Sequence, residues 1–213
     1  VSQALAAKPI DGQWREWNRR WPAIGAGPNR CLWTAGRPET THQRRFRAYW
    51  SLLLEEEPKP DWSCIELGSG RGTISQYLAA MGCTVTLVDL AAMPLEIARD
   101  NFAKAGLPPP QTLTADCQHT KLKRESFELA HSVGLLEHFE DPGPTVFECR
   151  RLLKKGGLMW HVIVGGDGAG SDIKRIDRQP AQYLELAQQA GFADARCRAL
   201  LLSNVYLLTG RRT

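Results

Sequence analysis

The chain has 213 residues, of which 43% are hydrophobic and 23% charged, with a formal net charge of +4, enough for one α/β core plus an N-terminal extension. No run approaches the roughly 18 consecutive apolar residues that a membrane-spanning helix needs, and the first residues lack the charged-then-apolar order of a secretory leader. The six cysteines are scattered without a C-x-x-C pair, which argues against a zinc or redox site and for reduced, mostly buried thiols in a cytoplasmic protein.

Residues 1–58 read as an extension that is basic up to its closing acidic run: Lys8, Arg15, Arg19, Arg20, Arg30, Arg37, Arg44, Arg45 and Arg47 are set against only Asp11, Glu16 and Glu39 before residue 55. It also holds Trp14, Trp17, Trp21, Trp33 and Trp50. Interleaved arginine and tryptophan can pair with a nucleic acid, line an anionic substrate pocket or pack a short helix onto the core; for Trp14, Trp17 and Trp21, which fall on one helical face at three- and four-residue steps, packing is the favoured reading. After a glycine- and proline-punctuated stretch from Ala23 to Pro38, Thr40 or Thr41 can cap a helix through Phe46, Tyr49, Trp50 and Leu53. The Glu55-Glu56-Glu57-Pro58 run stops it.

Residues 59–213 read as the catalytic domain. A β-branched and apolar run leads into Glu66-Leu67-Gly68-Ser69-Gly70-Arg71-Gly72, and a helical pattern follows at once. Strands are then predicted at Cys83–Val88, Gln111–Ala115 and Phe127–Ser132, and a helix at Pro142–Leu153. Leu153–Gly157 reads as a turn into a fifth strand, Leu158–Val164. The glycine-rich Gly165–Ser171 is predicted to be a loop at the ligand edge of the sheet. A helix from Pro180 to Ala190 and two closing strands, Phe192–Leu202 and Ser203–Gly210, complete the chain.

The glycine segment predicts a cradle for a nucleotide-like cofactor. Closely spaced glycines allow positive φ and close approach of the backbone, and the following helix offers free N–H groups. Counting from Gly68, however, the third glycine of a dinucleotide fingerprint should fall at Thr73, and it comes one residue early at Gly72, so NAD fits poorly. Asp89, at the end of the second strand, would meet both hydroxyls of a ribose. An acidic residue, a G-x-G-x-G loop and a second acidic residue closing the next strand resemble the class I S-adenosylmethionine-dependent methyltransferases. Leu136-Glu137-His138 resembles the L-E-H block of their small-molecule group, of the kind found in ubiquinone and menaquinone biosynthesis. Leu153-Lys154-Lys155-Gly156-Gly157 resembles that group's L-K-P-G-G turn, with Lys155 in place of proline.

The resemblance implies a Rossmann-like α/β fold, a mostly parallel seven-stranded sheet with an antiparallel last strand and helices on both faces, with S-adenosylmethionine as cofactor. Residue by residue it implies that Glu66 and the backbone of Gly68, Ser69, Gly70 and Gly72 hold the methionine portion. Asp89, with Leu90, would hold the ribose; Asp116 and Cys117 would take the adenine side; Ser132 and Val133 would close the shell. His138 is the candidate general base, its ordinary pKa lying near neutrality, with Glu137 as its catalytic neighbour. Where the family closes its N-terminal segment over the cofactor, Trp33, Arg37, His42, Arg45 and Tyr49 become substrate contacts. A metal is not expected, since Gly134 and Leu135 stand where an extra acidic ligand would precede Leu136. The expected reaction is methyl transfer to an O or N atom of a small molecule. RNA methylation through the basic extension and a non-catalytic cofactor-binding domain are the alternatives, nucleic acid being the less expected partner.

Overall fold

The computed structural model describes residues 13–26, 44, 58–166, 175–200 and 204–213. Helix α1 (Gln13–Ala26) comes first. Strand β1 (Ser63–Leu67), helix α2 (Thr73–Ala80), strand β2 (Thr84–Asp89), helix α3 (Ala92–Lys104) and strand β3 (Gln111–Thr114) follow. Strand β4 (Phe127–Val133) leads through a single 3-10 turn, Leu136–His138, to helix α4 (Gly143–Leu152). Strand β5 (Leu153–Val164), helix α5 (Pro180–Gln189) and strands β6 (Phe192–Ala199) and β7 (Val205–Arg212) close the fold.

The strands form one seven-stranded sheet in the order β3-β2-β1-β4-β5-β7-β6. Pairing is parallel from β3 to β5, and β7 runs antiparallel to both β5 and β6. Helices cover both faces of this sheet, which is why β1 and β2 read as nearly continuous apolar runs. On one face Ile74 and Leu78 of α2 and Leu95, Ala98 and Phe102 of α3 pack with Leu87 and Trp160. On the other, Val146 and Leu152 of α4 and Tyr183 of α5 pack with Ile65, Leu67 and Met159. Strand order reverses between β1 and β4, so a crevice opens beyond their carboxyl ends, the place where open α/β sheets bind ligands.

Two boundaries differ from the pattern expected of the sequence. Leu153–Gly157 is not a turn before the fifth strand but part of it: Phe127 pairs with Leu153, and the register then jumps so that Leu129 pairs with Leu158. The intervening residues bulge out of the ladder. Gly157 is needed there because a Cβ would lie 2.9 Å from the Lys154 carbonyl oxygen. The closing hairpin is shifted toward the C-terminus, β7 running to Arg212 rather than Gly210. Arg212 is buried, and its guanidinium donates to the Leu153 carbonyl and, at 2.6 Å, to Glu125 Oε1. That anchoring extends the strand. The expected helix from Thr40 or Thr41 to Pro58 and most of the glycine-rich loop lie outside the described residues.

Candidate active site

The loop after β1 makes the floor of the crevice. Gly68, Gly70 and Gly72 all have φ between 51° and 63°, a left-handed conformation that side chains resist. Ser69 N–H donates to the Val88 carbonyl at 3.0 Å and Gly72 N–H to the Ser69 carbonyl at 2.8 Å, which folds the loop tightly over β2. Asp89 finishes the arrangement. Its Oδ2 accepts from Gly70 N–H and its Oδ1 from Ala91 N–H, both at 3.0 Å. Burial raises the Asp89 pKa, opposed by these backbone donors.

One cavity sits over this floor. From the sequence candidates its walls take Gly68, Ser69, Gly70, Asp89, Leu90, Asp116, Cys117, Val133 and His138. Asp116 Oδ1 accepts from Gln118 N–H at 2.9 Å, which fixes the turn that carries Cys117. The Cys117 thiol is buried and its pKa pushed up by that burial and by the nearby Asp116. The remaining wall comes from α1 and from the turn after β4: Trp17, Asn18, Trp21, Ala91, Gly134, Leu135 and Phe139. Trp17 and Trp21 stack with centroids 5.8 Å apart, and Trp17 meets the His138 ring edge to face at 5.8 Å. Trp21 presses on the glycine loop so closely that a Cβ on Gly70 would lie 3.0 Å from its ring.

Four candidates face away from the cavity. Glu66 is buried behind the loop, where Ser75 Oγ donates to its Oε2 at 2.6 Å. That burial lifts its pKa to about 8, with Asp89 pushing the same way. Gly72 caps α2, and a Cβ there would point at Leu87 and Phe102. Ser132 turns to the far side of β4, its Oγ hydrogen-bonded to His161 Nδ1 at 2.6 Å. Glu137 is 1% exposed and aims at the end of β5, its Oε1 accepting from Val164 N–H at 3.1 Å. Burial raises its pKa to about 7. His131 and His161 are fully buried and held down to about 3 by desolvation, so both are neutral core residues. The substrate candidates Trp33, Arg37, His42, Arg45 and Tyr49 lie outside the described residues.

Trp17 and Trp21 pack together and Trp21 presses on the glycine loop, as packing residues should, and both also line the cavity; an apolar stripe reads alike whether it covers a core or a ligand pocket. The cradle itself fits an adenosyl group. Gly68 and Gly70 line the cavity, the Asp89 carboxylate borders it, and the buried Ser69 Oγ in the wall has no hydrogen-bond partner. Among the described residues no group of three or more His, Cys, Asp or Glu could hold a metal ion, and no helix is long and apolar enough to cross a membrane.

Residues 65–161, which contain the glycine loop, Asp89, Asp116 and His138, match a protein family described as a methyltransferase domain. Residues 65–161 thus carry a methyltransferase domain of the class I S-adenosylmethionine-dependent type. It is similar to a ubiquinone biosynthesis O-methyltransferase of Histophilus somni, with 28% identity over 69% of this chain and 70% of the relative. A second enzyme of that name, from Haemophilus ducreyi, is 33% identical over 45% of this chain and 42% of its own length. The methyltransferase therefore spans less than half of some of the curated relatives it matches. Among solved structures, geranyl diphosphate C-methyltransferase from Streptomyces coelicolor, in complex with magnesium, geranyl diphosphate and S-adenosylhomocysteine, superimposes with a TM-score of 0.71. It is 12% identical, covering 97% of this chain and 100% of that one. The cyclase SpnF superimposes with a TM-score of 0.74 at 15% identity, over 100% of this chain and 99% of that one. At such identities the likeness establishes fold alone, and the cofactor, S-adenosylmethionine, follows from the family.

Proposed function

We propose that this methyltransferase transfers a methyl group from S-adenosylmethionine to a hydroxyl oxygen of a flat, uncharged small molecule. The observation that carries this reading is the position of His138, whose ring shares one cavity with the Asp89-glycine cradle and stands against the Trp17 edge. The bound sulfonium supplies an electrophilic methyl carbon, so the chain has to align the acceptor, exclude water and remove a proton. In this reading Asp89 accepts from the ribose hydroxyls and Asp116 and Cys117 border the adenine. Gly68, Ser69 and Gly70 line the methionine portion, with Leu90 and Val133 as apolar walls. Trp17, Trp21 and Phe139 shape a slot for a planar ring, and a ring nitrogen of His138 takes the hydroxyl proton.

Oxygen is preferred to nitrogen because the relatives are named O-methyltransferases. Charge supports a neutral acceptor: the ionisable side chains among the described cavity residues are Asp89, Asp116, Cys117 and His138, with no lysine or arginine to meet a phosphate. A reducing compartment, the cytoplasm, suits the free cysteines Cys64, Cys83, Cys117, Cys149 and Cys197.

Calorimetric titration with S-adenosylmethionine and S-adenosylhomocysteine, with NAD as control, tests the cofactor half of the proposal. Binding of the first two and none of NAD is expected. Turnover is then measured on phenols and catechols against primary amines and RNA. Methylation of RNA in preference to phenols, with strong dependence on salt, would replace the small-molecule reading.

A further inference from the structure

Glu137 stands beside the candidate base but does not enter the cavity. Its carboxyl Oε1 accepts from Val164 N–H at the end of β5, at 3.1 Å. Its carbonyl accepts from Ile176 N–H at 2.8 Å. The same strap continues two residues on, where Arg178 Nη2 donates to the Phe139 carbonyl at 2.8 Å and to the Glu140 carbonyl at 2.6 Å. Asp177 Oδ1 in turn accepts from Gly166 N–H at 2.9 Å, tying residues 175–178 to the end of β5. From inside, His138 N–H donates to the Leu135 carbonyl at 3.0 Å. Gly134 lets the chain turn at a positive φ of 68° beside this carboxyl, Glu137 Oε1 lying in ordinary contact distance, 3.6 Å, of where a Cβ would stand.

We propose that Glu137 is a positioning residue, which braces the Leu136–His138 turn against β5 and residues 175–178 and so fixes the direction of the His138 imidazole. The proposal rests on the functional reading above, in which His138 meets the acceptor. A buried acid met only by backbone donors, its own N–H and that of Val164, is an expensive way to hold a turn. A three-residue 3-10 turn has few internal hydrogen bonds, however, and side chains from outside must set its orientation. Glu137 Oε2 is buried with no hydrogen-bond partner. The charged and titratable groups that act on this carboxyl or on its neighbour Tyr183 are Arg175, Arg178, Cys197 and Tyr183 itself.

The test compares Glu137→Gln, which keeps the oxygen that accepts from Val164, with Glu137→Leu, which removes it. Two readouts are taken: the His138 ring carbon–proton signal by NMR, which the adjacent Trp17 indole shifts, and kcat and KM on a phenolic acceptor. Glu137→Gln is expected to leave the His138 signal in place and to keep kcat within about threefold, whereas Glu137→Leu moves the signal and lowers kcat about 10- to 100-fold at nearly constant cofactor affinity. If Glu137→Leu does not fold, Ile176→Pro removes the second strap and should move the same signal with the carboxyl intact. A Gln variant as inactive as Leu with an unmoved His138 signal would overturn the proposal and return Glu137 to the chemistry. An unmoved signal in both Leu and Pro variants would also overturn it. Wild-type protein that fails to methylate any phenol while the NMR pattern holds would refute the functional reading and leave the brace standing.

Discussion

Replacing Glu66 by glutamine should stabilise the protein in alkali and leave it nearly unchanged in acid. Glu66 is 3% exposed and receives one side-chain hydrogen bond, from Ser75 Oγ at 2.6 Å. Burial raises its pKa from an ordinary 4.5 to about 8. A group whose folded pKa lies above its unfolded one holds more protons in the fold, so stability is complete below the unfolded value and is lost as pH rises through the folded one. The window is therefore pH 4.5 to about 8, and at about 1.4 kcal/mol per tenfold the loss is on the order of 5 kcal/mol. Glutamine keeps the acceptor for Ser75 and cannot ionise. Urea unfolding of both proteins between pH 4 and pH 9.5 should give nearly equal stability at the acid end and an advantage for glutamine that grows from about pH 5 and levels off above about pH 8. An advantage that is flat with pH, or a glutamine variant weaker at pH 9, would refute the burial argument. It would indicate that the carboxylate is paired with something the present geometry does not place beside it.

Three further outcomes are expected. Asp89→Ala should weaken S-adenosylmethionine by about 1.5–3 kcal/mol, the worth of hydrogen bonds to a charged acceptor, measured by calorimetry; unchanged affinity would discard the ribose assignment. His138→Ala should cut kcat on the true acceptor by about 10²–10⁴-fold with cofactor binding intact, in a stopped assay of methylated product; a mild loss would make His138 a structural residue. Gly70→Ala and Gly106→Ala both place a side chain at positive φ, but the new Cβ meets Trp21 at 3.0 Å in the first and nothing within 4 Å in the second. Each should lose about 1–2 kcal/mol of thermal stability to backbone strain, the first losing cofactor affinity as well. Equal cofactor affinity in the two would remove Gly70 from the cradle.

Much of the fold was legible because its signals are local. The glycine loop, the apolar runs of β1 and β2 and the Pro180 start of α5 lie within short windows of sequence, and the strand order follows from the family they resemble. What was not legible depends on parity. Ser132 and Val133 are neighbours on β4, yet the pleat sends one to His161 and the other to the cavity. Glu137 and His138 are neighbours on a turn that points one toward β5 and the other toward Trp17. A motif names both members of such a pair without saying which faces the crevice. Trp17 and Trp21 posed the same difficulty across the molecule, since their face was right and its partner was set by where α1 docks. The bulge at Lys154–Gly157 escaped because a Lys-Gly-Gly sequence suits a turn and a strand irregularity equally.

The position of β7 constrains the order in which the sheet can be assembled. It follows β6 in the chain but lies between β5 and β6, pairing with both. Until β7 arrives, β6 has no strand to join, although α5 already packs on β6. The helices and the β1–β2–β3 half can form as they are synthesised, whereas the β5 edge stays open for as long as residues 205–212 are missing. Such an edge pairs readily with other chains, so the interval between making β5 and placing β7 is when this protein is most prone to aggregate, and the residues that close it lie far from the chemistry.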